Sequence, residues 1–165
     1  MSSYGYGKRE VCGWVLSTVP GSAAILDVGA CDGNWRRLLP EYANMDAVEV
    51  FPPNAEKLSN YRKVYTADIR DFKYDWYDLI IFGDIIEHLP VKDAQAVLEY
   101  AAPRCRDMIV AVPFLYKQGE IYGNPYERHI QDDLTPAIFA ERYSGFEVLC
   151  DPGHDYCYYH KGGSP

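Results

Sequence analysis

Acidic side chains lie at or just after the ends of four short apolar segments in the first half of the chain: Asp27, Glu49, Asp68 and Asp84. A carboxylate in such a place can accept hydrogen bonds from ribose hydroxyls or from an amino group. Any one of these residues could be an ordinary charged residue in a loop. Because each follows a successive predicted strand, we interpret the four together as a binding site for a nucleoside-containing ligand.

A glycine-containing turn follows the first of these segments, in residues 27–33, whose sequence is DVGACDG. Gly29 and Gly33 lie between a predicted strand and a predicted helix, where glycine lets the backbone approach a ligand closely. In open α/β sheets, ligands bind beyond the carboxyl ends of the strands, at the point where the strand order reverses. Such turns also occur without a ligand, so this pattern depends on the support of the acidic residues.

Glu49 lies 20 residues after Gly29, at a spacing typical of an acid that holds both hydroxyls of a ribose. The other residues of 47–50 are all apolar. A charged side chain in a buried strand needs partners that offset the cost of leaving water. A ligand could supply them, although an acidic residue at a strand end can also be structural.

Two histidines occupy positions where they could face a substrate. His129 lies in the segment 113–133, which has no clear periodicity and is predicted to be a long loop. We predict that it is a substrate-facing base or anchor, or else that it holds the loop by a hydrogen bond. His88, in the sequence GDIIEHL, is predicted mainly to orient the loop that carries Asp84. Further candidates for the pocket lining are Tyr116, Tyr122 and Tyr126.

His154, Cys157 and His160 raise the alternative of a zinc site near the end of the chain. On a strand, Cys157 and His160 point to opposite faces because their separation is odd. The chain has no second pair of ligands at zinc-site spacing, so we predict no bound metal. The five cysteines are scattered without a C-x-x-C pair, which is typical of reduced thiols in the cytoplasm.

The chain has 165 residues and a formal net charge of −8. Its length suits one domain over residues 1–165. Proteins that bind nucleic acid usually carry a basic stripe, and here the nearest candidate is the short stretch Arg104-Cys105-Arg106, so we expect no nucleic-acid partner. The N-terminus lacks the apolar segment of a signal peptide, and no apolar run is long enough to cross a bilayer. We therefore expect a cytoplasmic location and no membrane association.

Strand-like and helix-like segments alternate along the whole chain. The predicted strands are residues 23–28, 47–50, 64–67, 78–82, 108–112, 146–150 and 156–160. The predicted helices are residues 11–19, 35–39, 52–58, 94–101 and a last one that Thr135 caps and Gly145 stops. This alternation predicts an α/β fold, a single Rossmann-like three-layer sandwich with a mostly parallel seven-stranded sheet. The turn residues at 151–153 predict a hairpin, so the C-terminal strand is antiparallel.

With these motifs in this order, the chain resembles the class I S-adenosylmethionine-dependent methyltransferases, particularly the branch that acts on small molecules. Residues 25–33 match the family's first motif, D/E-x-G-x-G-x-G, with Cys31 in place of the middle glycine. Glu49 matches the ribose-binding acid. Three later matches are the adenine motif at 67–69, the fourth-strand motif at 77–81 with 87–89, and His129 followed by Gly145-Phe146. The resemblance covers about residues 10–160.

The resemblance implies S-adenosyl-L-methionine as the cofactor and methyl transfer to a small-molecule acceptor, a metabolite or a sugar-like compound. Asp27, Gly29 and Asp84 then lie at the methionine end of the cofactor, and Glu49 holds the ribose. The implied cofactor-binding residues are Asp27, Gly29, Ala30, Cys31, Gly33, Glu49, Val50, Asp68, Ile69 and Asp84. The candidate catalytic residues are His129, Asp84 and His88.

Two other functions stay open at this point. The first is a catalytically inactive cofactor-binding subunit that supports a partner, since no decisive catalytic residue is visible. The second is a nicotinamide oxidoreductase, which Cys31 disfavours because a dinucleotide site depends more on close approach to a pyrophosphate. The sequence also leaves open whether the chain acts alone, as a homodimer or with a partner subunit.

Overall fold

Seven strands form one mixed β-sheet in the computed structural model, which describes residues 5–162. The two ends of the predicted domain, residues 1–4 and 163–165, lie outside the described residues. The strands are β1 (Ile25–Val28), β2 (Met45–Glu49), β3 (Lys63–Thr66), β4 (Tyr77–Gly83), β5 (Cys105–Pro113), β6 (Glu147–Cys150) and β7 (Tyr156–Gly162). Each predicted strand is therefore present, with bounds that differ by a few residues.

The strand order is β3-β2-β1-β4-β5-β7-β6. Strands β1 to β5 are parallel, whereas β7 pairs antiparallel with both β5 and β6. The order reverses between β1 and β4, which are hydrogen-bonded neighbours. This is the switch point at which open α/β sheets bind ligands. The predicted Rossmann-like sandwich and its antiparallel C-terminal hairpin are confirmed.

Five helices cover the two faces of the sheet: α1 (Lys8–Thr18), α2 (Asn34–Leu38), α3 (Pro52–Ala55), α4 (Val91–Ala101) and α5 (Pro136–Arg142). The cap predicted for α5 is confirmed, since the Thr135 hydroxyl accepts the N–H of Ile138 at 3.2 Å. The helix predicted at 52–58 is shorter, ending at Ala55. The chain turns there because the short connection must bring it back to the start of β3.

Two apolar layers lie on opposite faces of the sheet. One contains Val11 and Val15 of α1 with Trp35 of α2. The other contains Val97 of α4 and Phe139 of α5. Strand β1, between these layers, is buried along its whole length, as expected for a central parallel strand covered by helices on both faces. Within residues 5–162, no helix has the length and apolar character needed to span a bilayer.

Candidate functional site

A cleft of about 350 Å³ opens at the carboxyl ends of the parallel strands, a volume within the usual range for a small-molecule site. One side is formed by the turns after β1 to β4, and the other by the loop after β5. The residues predicted for the cofactor that line it are Gly29, Ala30, Cys31, Glu49, Val50, Asp68, Ile69 and Asp84. Asp27 and Gly33 were also predicted, but they are not among the lining residues.

The turn after β1 depends on glycine at position 29. Gly29 has a φ of 70°, and a Cβ there would lie 1.8 Å from Cδ1 of Ile85. Its N–H donates to the carbonyl of Val48 at 2.8 Å, which joins the turn to β2. Gly33 is also left-handed, at φ 75°, but it precedes α2 and packs near Tyr61. Gly33 therefore shapes the start of the helix behind the cleft.

Asp27 lies beneath the cleft floor, almost completely buried. One carboxylate oxygen accepts a hydrogen bond from the hydroxyl of Tyr61. The other oxygen has no hydrogen-bond partner among the residues that the structure describes. Burial raises the pKa of Asp27 to about 7, and the hydrogen bond from Tyr61 and the charge of Lys8 act against that increase. Asp27 thus supports the turn from below, and its protonation affects stability.

We expect Asp27 to make the folded protein less stable as the pH rises. Between about pH 4 and about pH 7 the folded protein keeps a proton that the unfolded chain has released, so stability falls through this window. Asp27→Asn should remove this loss, about 2–3 kcal/mol between about pH 5 and about pH 8. Urea denaturation of both proteins at the two pH values measures it. Parallel pH profiles for wild type and Asp27→Asn would contradict the prediction.

Glu49 presents a carboxylate to the cleft from the end of β2. Its Oε2 accepts the N–H of Cys31 at 2.9 Å, and its Oε1 accepts the N–H of Phe51 at 2.9 Å. Burial raises the pKa of Glu49, while these two backbone hydrogen bonds lower it. An oxygen of a carboxylate has lone pairs for more than one hydrogen bond. Glu49 therefore connects the two turns and can still accept hydrogen bonds from a ligand.

Asp68 lies at the far end of the cleft and is engaged by Arg70. The guanidinium of Arg70 is 2.5 Å from Asp68 Oδ2, and the N–H of Arg70 donates to Oδ1 at 2.9 Å. This hydrogen-bonded arginine lowers the pKa of Asp68. The sequence indicated the acid and Ile69 beside it but gave no reason to expect the arginine. A ligand's amino group at this end therefore meets a carboxylate whose oxygens are already hydrogen-bonded to Arg70.

Asp84 occupies the turn after β4 with a φ of 58°, an uncommon conformation for a residue other than glycine. The hydroxyl of Tyr156 donates a hydrogen bond to its Oδ1. The ammonium of Lys8 is buried, 5.3 Å from the centre of the Trp35 ring. Burial lowers the pKa of Lys8, and the negative charges of Asp84 and Asp27 raise it. The sequence analysis missed this lysine, whose charge partly balances the acids around the cleft.

His129 is held in its loop by a hydrogen bond and also lines the cleft, and its role as a substrate-facing base or anchor stays a prediction. Its Nδ1 lies 2.8 Å from the carbonyl of Tyr116, while the residue itself lines the cleft. His88 Nδ1 lies 3.1 Å from the carbonyl of Arg128, and the two imidazoles pack edge to face with centroids 4.7 Å apart. Burial lowers the pKa of His129 and lowers that of His88 to about 4. Both rings are consequently neutral near pH 7.

The predicted loop is folded against the cleft over residues 113–130. Tyr116 and Tyr126 line the cleft, as predicted. Tyr122 does not, because its side chain is 95% exposed. The sequence analysis did not assign a role to Glu87, Gln118 or Asn124, which also line the cleft. Gln118 and Asn124 reach the cleft only because the loop folds over it, whereas Glu87 lies in the motif at 87–89, which does not by itself reveal that it faces the cleft.

Gln131 ties this loop to the turn after β4. Its amide nitrogen donates to the carbonyls of Ile86 and Leu89 at 2.7 and 2.9 Å. Its oxygen accepts from the hydroxyl of Tyr143 at 2.8 Å and from Arg142 at 3.1 Å. The side chain is buried, so removing it takes away four hydrogen bonds in the protein interior, those of the Leu89 carbonyl and the Tyr143 hydroxyl among them.

We therefore expect Gln131→Ala to lower the free energy of unfolding by about 1–3 kcal/mol. Urea denaturation checks this value. The matched control is Gln95→Ala, which removes a single hydrogen bond, to the carbonyl of Arg142, from a half-buried side chain. Its effect should stay below about 1 kcal/mol. Equal losses for the two variants would show that Gln131 does not have this anchoring role.

The structure does not bring the residues of the alternative zinc site together. His160 Nε2 lies 2.8 Å from Asp107 Oδ1, and the thiol of Cys157 donates to the carbonyl of Cys150. The ring of His154 stacks on Tyr6. As the odd spacing predicted, Cys157 belongs to one apolar layer, whereas His160 contacts Trp14 on the other face of the sheet.

The sequence matches no protein-family model and no curated protein, but solved structures share its fold. One is an S-adenosylmethionine-dependent methyltransferase from Clostridium acetobutylicum ATCC 824, with 13% identity, a TM-score of 0.73, and coverage of 98% of this chain and 93% of that one. Another is magnesium protoporphyrin IX methyltransferase from Synechocystis PCC 6803 with bound SAM. It has 15% identity and a TM-score of 0.66, and the match covers 94% of this chain and 77% of that one.

A third is 1,6-didemethyltoxoflavin-N1-methyltransferase from Burkholderia thailandensis, whose structure holds its substrate and S-adenosylhomocysteine. It has 16% identity and a TM-score of 0.68, and the match covers 95% of this chain and 78% of that one. These likenesses show that the chain has the Rossmann-like fold of class I methyltransferases.

Proposed function

We propose that this chain is an S-adenosylmethionine-dependent methyltransferase with a small-molecule acceptor. The observation that carries the proposal is the placement of Glu49. Its carboxylate is held at the end of β2, beside the glycine turn after β1, in the cleft at the switch point of the sheet. A fixed carboxylate in this position can accept hydrogen bonds from the two hydroxyls of a ribose. The fold shared with solved methyltransferases supports the same function.

The residues around the cleft suit a nucleoside that carries a positive charge. Glu49 faces the ribose, and Val50 and Ile69 supply apolar surface on either side of the base. Asp84 lies at the opposite end from Asp68, where its carboxylate favours a cationic sulfur. Gly29 has no side chain of its own, so its backbone can approach the methionine part closely, beside the side chain of Ile85. We infer that these residues hold the cofactor in an extended pose along the carboxyl ends of the strands.

When bound, S-adenosylmethionine supplies a methyl group that is already electrophilic, so the protein mainly has to align the acceptor and exclude water. The loop of residues 113–130 closes one side of the cleft and limits access to it. His129 and His88 face the cleft on that side, beside Asp84. We assign the acceptor to this end of the cleft. Its limited volume favours a metabolite or a sugar-like compound.

Isothermal titration calorimetry with S-adenosylmethionine, S-adenosylhomocysteine and NAD tests the proposal. We expect both sulfur compounds to bind with a stoichiometry of one per chain, and NAD to bind weakly or not at all. Binding of NAD without binding of the sulfur compounds would reject the proposal in favour of an oxidoreductase. Binding without turnover over a broad panel of acceptors would instead identify an inactive cofactor-binding subunit.

We also infer a cytoplasmic location for the enzyme. Within residues 5–162, which include all five cysteines, no disulfide is formed, and proteins in oxidising compartments usually pair their cysteines. A homodimer or a partner subunit stays a prediction from the sequence, and analytical ultracentrifugation of the purified chain tests it.

A further inference from the structure

Three side chains with metal-binding atoms meet in the cleft at its acceptor end: Glu87, His88 and His129. One ligand atom from each lies within 4.8 Å of the other two. Glu87 Oε1 and His88 Nε2 are 3.9 Å apart. Donor atoms that share one ion at about 2.1 Å in a tetrahedral arrangement lie about 3.4 Å from one another. The cluster can therefore close on an ion with side-chain shifts of about 1 Å.

The two histidines present their Nε2 atoms as ligands. In each ring Nδ1 faces a backbone carbonyl, that of Arg128 for His88 and that of Tyr116 for His129. A carbonyl oxygen only accepts hydrogen bonds, so the tautomer with the proton on Nδ1 satisfies both of these contacts and leaves the lone pair of Nε2 for an ion. A hydrogen bond of this kind on the opposite nitrogen is the usual support of a metal-ligating histidine.

Glu87 supplies the third ligand, and the burial of its carboxylate is the strongest evidence for a cation at this site. Its side chain is fully buried, yet neither carboxylate oxygen has a hydrogen-bond partner on another residue that the structure describes. Isolated buried carboxylates are costly, and they are normally paired or bound to a metal. Glu87 lines the cleft beside both histidines, where a cation would provide the missing partner.

The backbone holds these three residues in place before any ion binds. The carbonyl of Glu87 accepts the N–H groups of Ile130 and Gln131 at 2.8 and 3.0 Å, and the N–H of His129 donates to the carbonyl of Gln118 at 3.0 Å. These hydrogen bonds dock the loop after β5 onto the turn after β4. A site that is held in this way loses little conformational freedom when a ligand enters.

We propose that Glu87, His88 and His129 bind one divalent first-row transition metal ion at the acceptor end of the cleft. Two imidazoles and one carboxylate suit Mn²⁺, Fe²⁺, Co²⁺ or Zn²⁺ better than Ca²⁺ or Mg²⁺, which favour sites made of oxygen atoms alone. Three protein ligands leave further coordination positions free for water or substrate, as in catalytic metal sites.

Together with the proposed function, on which this step rests, the metal site favours an acceptor with oxygen donor atoms. A metal-bound hydroxyl loses its proton at a lower pH than a free one, and chelation by two oxygens fixes its orientation. His129 then acts as a ligand and not as a base. The acceptor class we infer is a compound with two neighbouring oxygen groups, for example a vicinal diol or a hydroxy acid.

Titration of the purified, chelator-treated chain with Co²⁺ tests the metal site, because visible absorption reports nitrogen and oxygen coordination directly. We expect one Co²⁺ per chain. His129→Asn and Glu87→Gln should each weaken binding by at least about tenfold, the scale seen when even outer partners of a metal are removed. Circular dichroism and thermal denaturation without metal establish whether each variant is folded.

His154→Gln is the matched control, because His154 is an exposed histidine that stacks on Tyr6 away from the cluster. It should bind Co²⁺ like the wild type. Wild-type protein that binds no Co²⁺, or a folded His129→Asn variant with unchanged affinity, would overturn the proposal. So would an equal loss of binding in His154→Gln. If Glu87→Gln does not fold, His129→Asn alone decides the question.

The proposed metal site and the proposed cofactor site are tested by separate measurements. Co²⁺ binding is measured without S-adenosylmethionine, and S-adenosylhomocysteine binding is measured in the presence of a chelator. Metal binding without nucleoside binding would reject the proposed function and keep the metal site. The opposite result would reject only the metal site.

Discussion

Glu49→Ala is expected to weaken the binding of S-adenosylhomocysteine by about 1–3 kcal/mol, or about 5- to 150-fold, as its hydrogen bonds involve a charged group. The loss has two sources. The ligand's ribose hydroxyls lose their acceptor, and the N–H groups of Cys31 and Phe51 lose theirs. Isothermal titration calorimetry with S-adenosylhomocysteine measures the change without needing a known acceptor.

Two further variants separate the contributions to this loss. Glu49→Gln keeps the shape of the side chain and one carbonyl oxygen, so it should retain one of the two backbone hydrogen bonds. Its affinity for S-adenosylhomocysteine should therefore lie between those of the wild type and Glu49→Ala. Glu56→Gln removes an exposed acid just after α3 and should bind like the wild type. Unchanged affinity in a folded Glu49→Ala protein would contradict the assignment of Glu49 to the ribose.

Gly29→Ala is expected to lower the free energy of unfolding by about 2–4 kcal/mol. About 1–2 kcal/mol follows from the left-handed backbone at φ 70°, which a Cβ disfavours. The remainder comes from the contact at 1.8 Å between the new Cβ and Ile85, which forces that side chain to move in a packed region. Urea denaturation at fixed pH measures the total.

Matched substitutions assign this loss to its causes. Gly13→Ala places the same methyl group on the exposed face of α1, where nothing lies within 4 Å, and should stabilise the protein by about 0.5–1 kcal/mol. A double-mutant cycle with Ile85→Ala measures the contribution of the steric contact, because the backbone contribution is unaffected by residue 85. A Gly29→Ala protein as stable as the wild type would show that the turn is not constrained in this way.

The two variants also report different properties of the cleft. Glu49→Ala changes a group that faces the ligand, so its main effect should be on affinity. Gly29→Ala changes the shape of the turn, so stability and affinity should fall together. A Gly29→Ala protein that loses affinity at unchanged stability would mean that Ile85 moves easily into the cleft and blocks it.

The fold, and the turns that line one side of the cleft, could be predicted from the sequence. Both depend on local patterns: apolar runs make buried strands, and residues just after the ends of parallel strands gather at one edge of the sheet. Gly29, Glu49, Asp68 and Asp84 could therefore be identified one by one. Asp27 and Gly33 belong to the same motif but lie behind the cleft, because the Asp27 side chain is buried against Tyr61 and Gly33 is the N-cap of α2.

The surroundings of the proposed acceptor end depend on contacts between distant parts of the chain and could not be predicted from the sequence. His88 and His129 are separated by a long stretch of chain, and the hydrogen bonds of Gln131 and of the Glu87 carbonyl bring them to a centroid distance of 4.7 Å. No metal is predicted from the sequence, because the three side chains are not all close together in the chain. Glu87 lies in a recognisable motif. The burial of its carboxylate and the lack of hydrogen bonds from other described residues become visible only with the packing of the loop above it.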